Sequence, residues 1–179
     1  MSSTASNARS FWATAVFIVL LDVVTKALAS RYLPEHIPQQ IIGNVVRFTL
    51  AYNPGAAFSM SLGPHSRYIF GAFAVVALVI LWRLYRSTEP GDTPRVLALG
   101  LAWGGAAGNL IDRFHSEKGV VDFIDIGIGD VRFWTFNVAD SAVTIGALLL
   151  AWVLWREDRK ALATAAAEAA ARDPRPADS

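Results

Sequence analysis

The chain contains no cysteine, which excludes thiol nucleophiles, disulfides and cysteine-held metals. Charge is scarce as well. Asp, Glu, Lys and Arg supply 17% of the 179 residues, against about 25% in a soluble domain. A net charge of +1 leaves no basic stripe for nucleic acid. The three histidines, His36, His65 and His115, stand far apart and form no H-x-x-x-H pair. A zinc site is not indicated, and neither a P-loop nor a dinucleotide glycine pattern is present. No cofactor or metal is expected.

What the chain has instead is apolar length: 54% hydrophobic residues and a mean hydropathy of +0.38. Four apolar stretches stand out, at 11–21, 68–82, 96–111 and 141–155. Each is shorter than the roughly 20 residues that cross a bilayer as a helix. They reach that length only by taking in flanking polar residues, as spans of about 11–30, 68–85, 96–113 and 139–156. Asp22, Lys26, Arg83, Asp112 and Asp140 must then snorkel or face protein. Small residues punctuate the third span ("GLAWGGAAGN"), as expected where membrane helices pack closely.

Lys and Arg set the orientation. Arg9 precedes the first span, Arg83, Arg86 and Arg95 lie in the link between the second and third, and Arg156, Arg159 and Lys160 follow the fourth. Positive-inside logic puts both termini and that link in the cytoplasm. Segments 34–67 and roughly 114–135 then lie outside. Arg9, the following charge-free run and "ALA" at 27–29 faintly resemble a cleaved export signal. Asp22 and Lys26 sit awkwardly for such a signal, so the first helix is expected to be retained. Residues 1–160 read as one membrane domain, and 161–179 as a cytoplasmic Ala-rich tail, helical by propensity up to 172 and frayed beyond. "IIGNVVRFTLAYN" and "VVDFIDIGIGDVRFWTF" read as short strands, consistent with a small sheet on the outer membrane face.

On this topology the polar residues gather on the outer side: Asp22, Lys26, Asn53, Asn109, Asp112, Arg113, Asp122, Asn137 and Asp140. Random snorkelling would populate both sides. Asp22 and Lys26, spaced i,i+4 with the acid first, read foremost as a structural ion pair, with a direct chemical role as the alternative. Asn109 with Asp112, and Asn137 with Asp140, repeat N-x-x-D, a spacing that lets an amide orient a carboxylate on one helical face. Asp140 could instead be a helix N-cap, which leaves Asn137 unexplained. Arg113 could neutralise a carboxylate or bind a lipid headgroup. "YNPGAAFS" (52–59) is a turn by composition, and Asp125 and Asp130 in "DIGIGD" read as solvated turn acids.

Two carboxylates held close at a water–lipid boundary cannot both ionise easily, so they share a proton. The ionised member can take a proton from water while the protonated one donates to a peptide carbonyl. Spacing does not choose between Asp112 and Asp122 for such a pair. A small intramembrane ion or proton carrier is the alternative, although it should place ionisable groups at several depths, and the inner halves of the spans are almost bare. A non-enzymatic scaffold is a further rival.

In "DVVTK", "YNPGAAFS", "GGAAGNLIDR", "VVDFID" and "FNVADS", taken in order, the chain resembles the lipoprotein signal peptidases (signal peptidase II), bacterial membrane aspartyl peptidases. The resemblance implies a mostly α fold of four transmembrane helices with a small extracytoplasmic β-cradle. It implies cleavage of diacylglyceryl-modified prolipoproteins N-terminal to the lipidated cysteine, by a monomer in the bacterial inner membrane. It makes Asp122 and Asp140 the catalytic pair, with Asp112, Asn109 and Arg113 supporting. Asn53 would bind substrate backbone, Asn137 would orient the dyad, and Asp22 and Lys26 would support the fold. Trp134 departs from the family, which often has proline there, and this bears on the backbone before Asn137.

Overall fold

A computed structural model describes residues 2–55, 63 and 65–172. Residues 56–59 of the expected turn and the expected frayed end lie outside the described residues. The elements run α1 (Ser2–Tyr32), β1 (Gln39–Ile42), β2 (Val46–Asn53), α2 (Ser66–Arg86), α3 (Thr93–His115), β3 (Val120–Ile128), β4 (Val131–Arg132) and α4 (Val138–Arg172). Among the described residues, four helices and a small, four-stranded antiparallel sheet make up the fold, as the expected fold class has it.

Three of the helices are long and apolar enough to cross a membrane: α1 over Ala5–Tyr32, α2 over Ser66–Arg86 and α4 over Val138–Ala169. Their outward faces carry bare apolar side chains such as Phe17, Leu20, Val76 and Leu148, an arrangement that lipid tolerates and water does not. The remaining helix, α3, has 23 residues, or about 35 Å at 1.5 Å per residue. It is less apolar because it packs against each of the other three helices and exchanges bulk for small residues. Val96, Ala98, Leu99, Gly100, Ala102, Gly104, Gly105 and Gly108 are its buried positions. A Cβ on Gly104 would stand 2.8 Å from the Ala15 carbonyl oxygen, and one on Gly105 would stand 2.3 Å from that of Ala139. Helix α3 is thus the spine of the bundle, and its glycines set how near α1 and α4 approach.

At the arginine-rich end, Phe11 of α1 stacks on Tyr85 of α2 with ring centroids 4.1 Å apart, and Trp12, Trp82 and Trp103 surround them. Arg86 lies over Trp82, Arg156 over Trp152 and Arg159 over Trp155. Such pairs suit a membrane interface, where one end is apolar and the other wet. Helix α4 continues without a break past Trp155 into the Ala-rich segment, whose side chains are exposed over 161–169.

The sheet, in the order β1-β2-β3-β4, caps the opposite end. Leu50, Val121 and Phe123 form a small core with Ala29 of α1. Strand alternation then turns Asp122, which lies between Val121 and Phe123, away from that core. Asp122 pairs across the ladder with Ala51, and Val120 with Asn53, after a bulge in β2 between Phe48 and Ala51. Gly119 makes the entry to β3 possible. Its φ is +101°, and a Cβ there would sit 2.2 Å from the Asn53 carbonyl oxygen.

Candidate active site

The sheet and the adjoining helix ends enclose a cavity of about 700 Å³, and both Asp122 and Asp140 line it. Asp122 comes from β3, is 4% exposed and receives two amides. Asn137 Nδ2 donates to its Oδ1 at 2.7 Å, and Asn53 Nδ2 to its Oδ2 at 3.3 Å. Burial, followed by the negative charge of Asp140, raises the Asp122 carboxyl from 3.8 to about 7, against the lowering effect of both amides and of Lys26. At neutral pH this group is therefore a proton carrier.

Asp140 sits in the first turn of α4. Asn137, immediately before the helix, is its N-cap: Oδ1 accepts the Asp140 N–H at 2.9 Å, and Asp140 Oδ2 accepts the Asn137 N–H at 3.2 Å. This reciprocal capping box rules out the alternative reading of Asp140 as the cap and gives that role to Asn137. The second oxygen, Oδ1, accepts Asn109 Nδ2 at 2.7 Å. Asp140 thus presents a carboxylate at the positive end of a helix dipole.

The two N-x-x-D motifs do not work as separate units. Asn109 of α3 serves Asp140 of α4, and the Asn137 side chain serves Asp122 of β3. Asn137 also donates to Asn109 Oδ1 at 3.0 Å, so the two amides are joined to each other. Asn137 is fully buried, and it precedes the helical face on which its spacing would have placed it.

Asp112 is occupied elsewhere. Its Oδ2 lies 2.9 Å from Lys26 Nζ and accepts the Val121 N–H at 3.1 Å. Lys26 also pairs with Asp22 at 2.7 Å, as the i,i+4 spacing suggested, and donates to Asn109 Oδ1 at 2.9 Å. Both Asp22 and Lys26 face protein and are buried. Arg113 donates to the Asn109 carbonyl at 3.0 Å and to the Gly55 carbonyl at 3.0 Å, tying α3 to the turn after β2. Its charge is near enough to interact with Asp140, Asp112 and Asp122. Of the alternatives left open for Arg113, proximity to the carboxylates is the one this geometry favours.

Asp125 corrects another expectation. It is 7% exposed and belongs to β3, where Arg132 lies 2.7 Å away and the Thr49 hydroxyl donates at 3.1 Å. The glycines of "DIGIGD" suggested a turn, but β3 runs through Gly127, whose closeness to β4 leaves no room for a Cβ. Asp130 is exposed in the turn, as read. Sequence reasoning also missed the cavity wall made by Arg132, Phe133, Trp134 and Phe136. The alternation in "VRFWTF" was its one signal. The backbone after Trp134 is firmly held. Phe136 N–H donates to Ile124 O at 3.0 Å, and the Ile124 N–H returns a bond to Phe136 O at 2.8 Å.

Taken together, the cavity holds one carboxyl whose proton affinity is raised to about 7 and one carboxylate fixed by two amide contacts. That arrangement can activate water and protonate a carbonyl in the same step. Among the described residues no group of His, Cys, Asp and Glu is arranged to hold a metal ion.

Comparison with known proteins gives the family. Residues 14–156 match the peptidase family described as signal peptidase (SPase) II. The lipoprotein signal peptidase of Desulforapulum autotrophicum is 44% identical over 141 residues, covering 75% of this chain and 85% of that protein. That of Hydrogenovibrio crunogenus is 37% identical over 170 residues, covering 92% and 98%. A bacterial membrane enzyme solved by the in meso method at 2.3 Å superposes with a TM-score of 0.74 at 32% identity, covering 81% of this chain and 87% of that one. The family match, the curated relatives and the solved structure converge, and the chain belongs to the signal peptidase II family of membrane proteases.

Proposed function

We propose that Asp122 and Asp140 are the catalytic dyad of an aspartic endopeptidase that removes signal peptides from diacylglyceryl-modified prolipoproteins, cutting N-terminal to the lipidated cysteine. The observation that carries this reading is the shared cavity, in which the Asp122 carboxyl is raised to about 7 while Asp140 is held at a helix N-terminus. Asp140 takes a proton from a water molecule as its oxygen attacks the scissile carbonyl carbon. Asp122 gives its proton to the carbonyl oxygen, forming a neutral tetrahedral diol. Collapse returns a hydroxyl proton to Asp122, and Asp140 passes its proton to the departing amine of the cysteine. The dyad ends as it began. Asn53, which faces the cavity beside Asp122, is placed to hold substrate backbone.

The site opens at the sheet end, away from Arg9, Arg83, Arg86, Arg95, Arg156, Arg159 and Lys160. Positive-inside logic makes that end extracytoplasmic and puts both termini in the cytoplasm. The lipid chains of the substrate then stay in the bilayer while the scissile bond reaches the interface. Residues 1–160 form the peptidase domain, acting as a monomer, and 161–179 the cytoplasmic tail. The carrier alternative lacks support, because the buried acids Asp22, Asp122 and Asp125 all lie at one end of the bundle.

The test is cleavage of a diacylglyceryl-modified prolipoprotein by purified protein in detergent, with Asp122→Asn, Asp140→Asn and Asp112→Asn beside wild type. Loss of cleavage in the first two, with folding intact, supports the dyad. Cleavage retained by Asp122→Asn and lost in Asp112→Asn would move the partnership to Asp112. A folded wild type that does not cleave would overturn the peptidase reading.

A further inference from the structure

Lys26 sits below the two aspartates and touches neither, yet its three partners all lead to them. Its ammonium forms ion pairs with Asp22 Oδ2 at 2.7 Å and Asp112 Oδ2 at 2.9 Å, and donates a hydrogen bond to Asn109 Oδ1 at 2.9 Å. Each then makes a second bond. Asp22 Oδ1 accepts the N–H of Ala139, the residue before Asp140, at 2.9 Å. Asp112 Oδ2 accepts the N–H of Val121, the residue before Asp122, at 3.1 Å. Asn109 Nδ2 donates to Asp140 Oδ1 at 2.7 Å.

The two acids paired with Lys26 thus hold the backbone one residue ahead of each member of the dyad. They do so on different elements, α4 and β3, and Lys26 on α1 is the link between them. The third bond fixes an amide. An ammonium can only donate, so Asn109 must turn its oxygen to Lys26 and its nitrogen to Asp140. Asn137 Nδ2 donates to the same oxygen at 3.0 Å, so Lys26 and Asn137 together hold this orientation and keep the Asn109 oxygen turned away from the Asp140 carboxylate. A lone ion pair on α1 would need none of these second bonds.

Resting on the dyad reading above, the geometry points to Lys26 as a positioning residue for catalysis: through Asp22, Asp112 and Asn109 it sets the separation of Asp122 and Asp140 and the orientation of the amide between α3 and α4. Its charge, 3% exposed, is poorly screened and reaches Asp122 as well. Lys26 therefore acts on the dyad in two separable ways, by geometry and by charge.

Two substitutions separate them. Lys26→Arg keeps the charge and displaces the donors. Lys26→Gln removes the charge as well. Both are assayed as purified protein in detergent on a synthetic diacylglyceryl-modified prolipopeptide, with kcat expressed per folded molecule and a full pH profile. Asp140→Asn runs alongside. Lys26→Arg is expected to lose about 100-fold in kcat, the scale of a 1 Å misplacement, with KM held within about twofold and the pH profile in place. Lys26→Gln is expected to lose at least as much and to move the alkaline limb to higher pH. Lys26→Arg preserves the countercharge of Asp22 and Asp112, so the test stands even where Lys26→Gln does not fold. Wild-type kcat per folded molecule in Lys26→Arg, with lower yield or melting temperature alone, would overturn the positioning role and leave Lys26 as a fold support. Cleavage by Asp140→Asn at the wild-type rate would instead overturn the dyad on which the inference rests.

Discussion

Asn137 donates its side-chain amide to Asp122 across 2.7 Å and its backbone amide to Asp140 across 3.2 Å. One residue is therefore bonded to both carboxylates, from two different groups. Asn137→Ala removes the side-chain bond and the cap of α4 together. It is expected to cost about 1 kcal/mol of stability for the cap and on the order of 100-fold in kcat for the loosened dyad. Asn137→Asp retains a capping oxygen but brings a third carboxylate to the pair. Melting temperature near wild type with cleavage lost in Asn137→Asp would separate the two roles, and full activity in Asn137→Ala would remove Asn137 from the machinery.

The Asp122 carboxyl, raised from 3.8 to about 7, gives the pH dependence a definite sign. Its protonated fraction falls as pH climbs through about 7, so cleavage should decline along an alkaline limb centred there. Folding follows the same group. A raised acid binds its proton more tightly in the folded state, which adds stability that is present below pH 4 and lost as pH rises through about 7. The span is roughly 4 kcal/mol at full extent. Thermal melting of wild type and Asp122→Asn between pH 4 and 8 should show the wild type losing ground as pH rises. Parallel curves would contradict this.

Gly105 and Gly71 make a matched pair of alanine substitutions on the helices. A Cβ at Gly105 would fall 2.3 Å from the Ala139 carbonyl oxygen, whereas one at Gly71 would meet Leu110 Cδ1 at 3.9 Å, an ordinary contact. Gly105→Ala should drive α4 away from α3 at a cost of about 1–3 kcal/mol and displace Asp140 with it. Gly71→Ala should be nearly silent in both melting temperature and cleavage. Equal behaviour of the two would refute the close-approach account.

Asp125 shares the cavity with the dyad yet is committed to Arg132 and Thr49. Asp125→Asn is expected to lower stability by about 2 kcal/mol, through the loss of charged hydrogen bonds. The alkaline limb of cleavage should stay where it is. Movement of that limb in Asp125→Asn would show that Asp125 titrates with the pair.

The polar positions were legible because an ionisable residue in an apolar background is conspicuous, and Asp22, Lys26, Asn109 and Asp140 all announced themselves in that way. Their partnerships were harder to read. Spacing along one helix gave Asp22 to Lys26 correctly, but Asn109 bonds across to α4 and Asn137 across to β3, and such pairings depend on how the helices rotate against one another. Spacing did not separate Asp112 from Asp122 for the same reason: the partner of Asp112 is Lys26, which lies 86 residues before it in sequence and 2.9 Å from it in space. Asp125 was misread because glycine marks turns and also marks strands in close contact, and only the neighbouring β4 separates the two meanings.

The bond from the Ala139 N–H to Asp22 joins the first helix to the last across 117 residues of chain. During synthesis, Asp22 and Lys26 are made long before α4, and Asp140 arrives only with that final helix. A growing chain that has produced α1 to α3 and the sheet carries only Asp122 of the proposed pair. On that proposal, the cleaving site is completed only when Asp22 receives the α4 backbone, and the enzyme is silent until then.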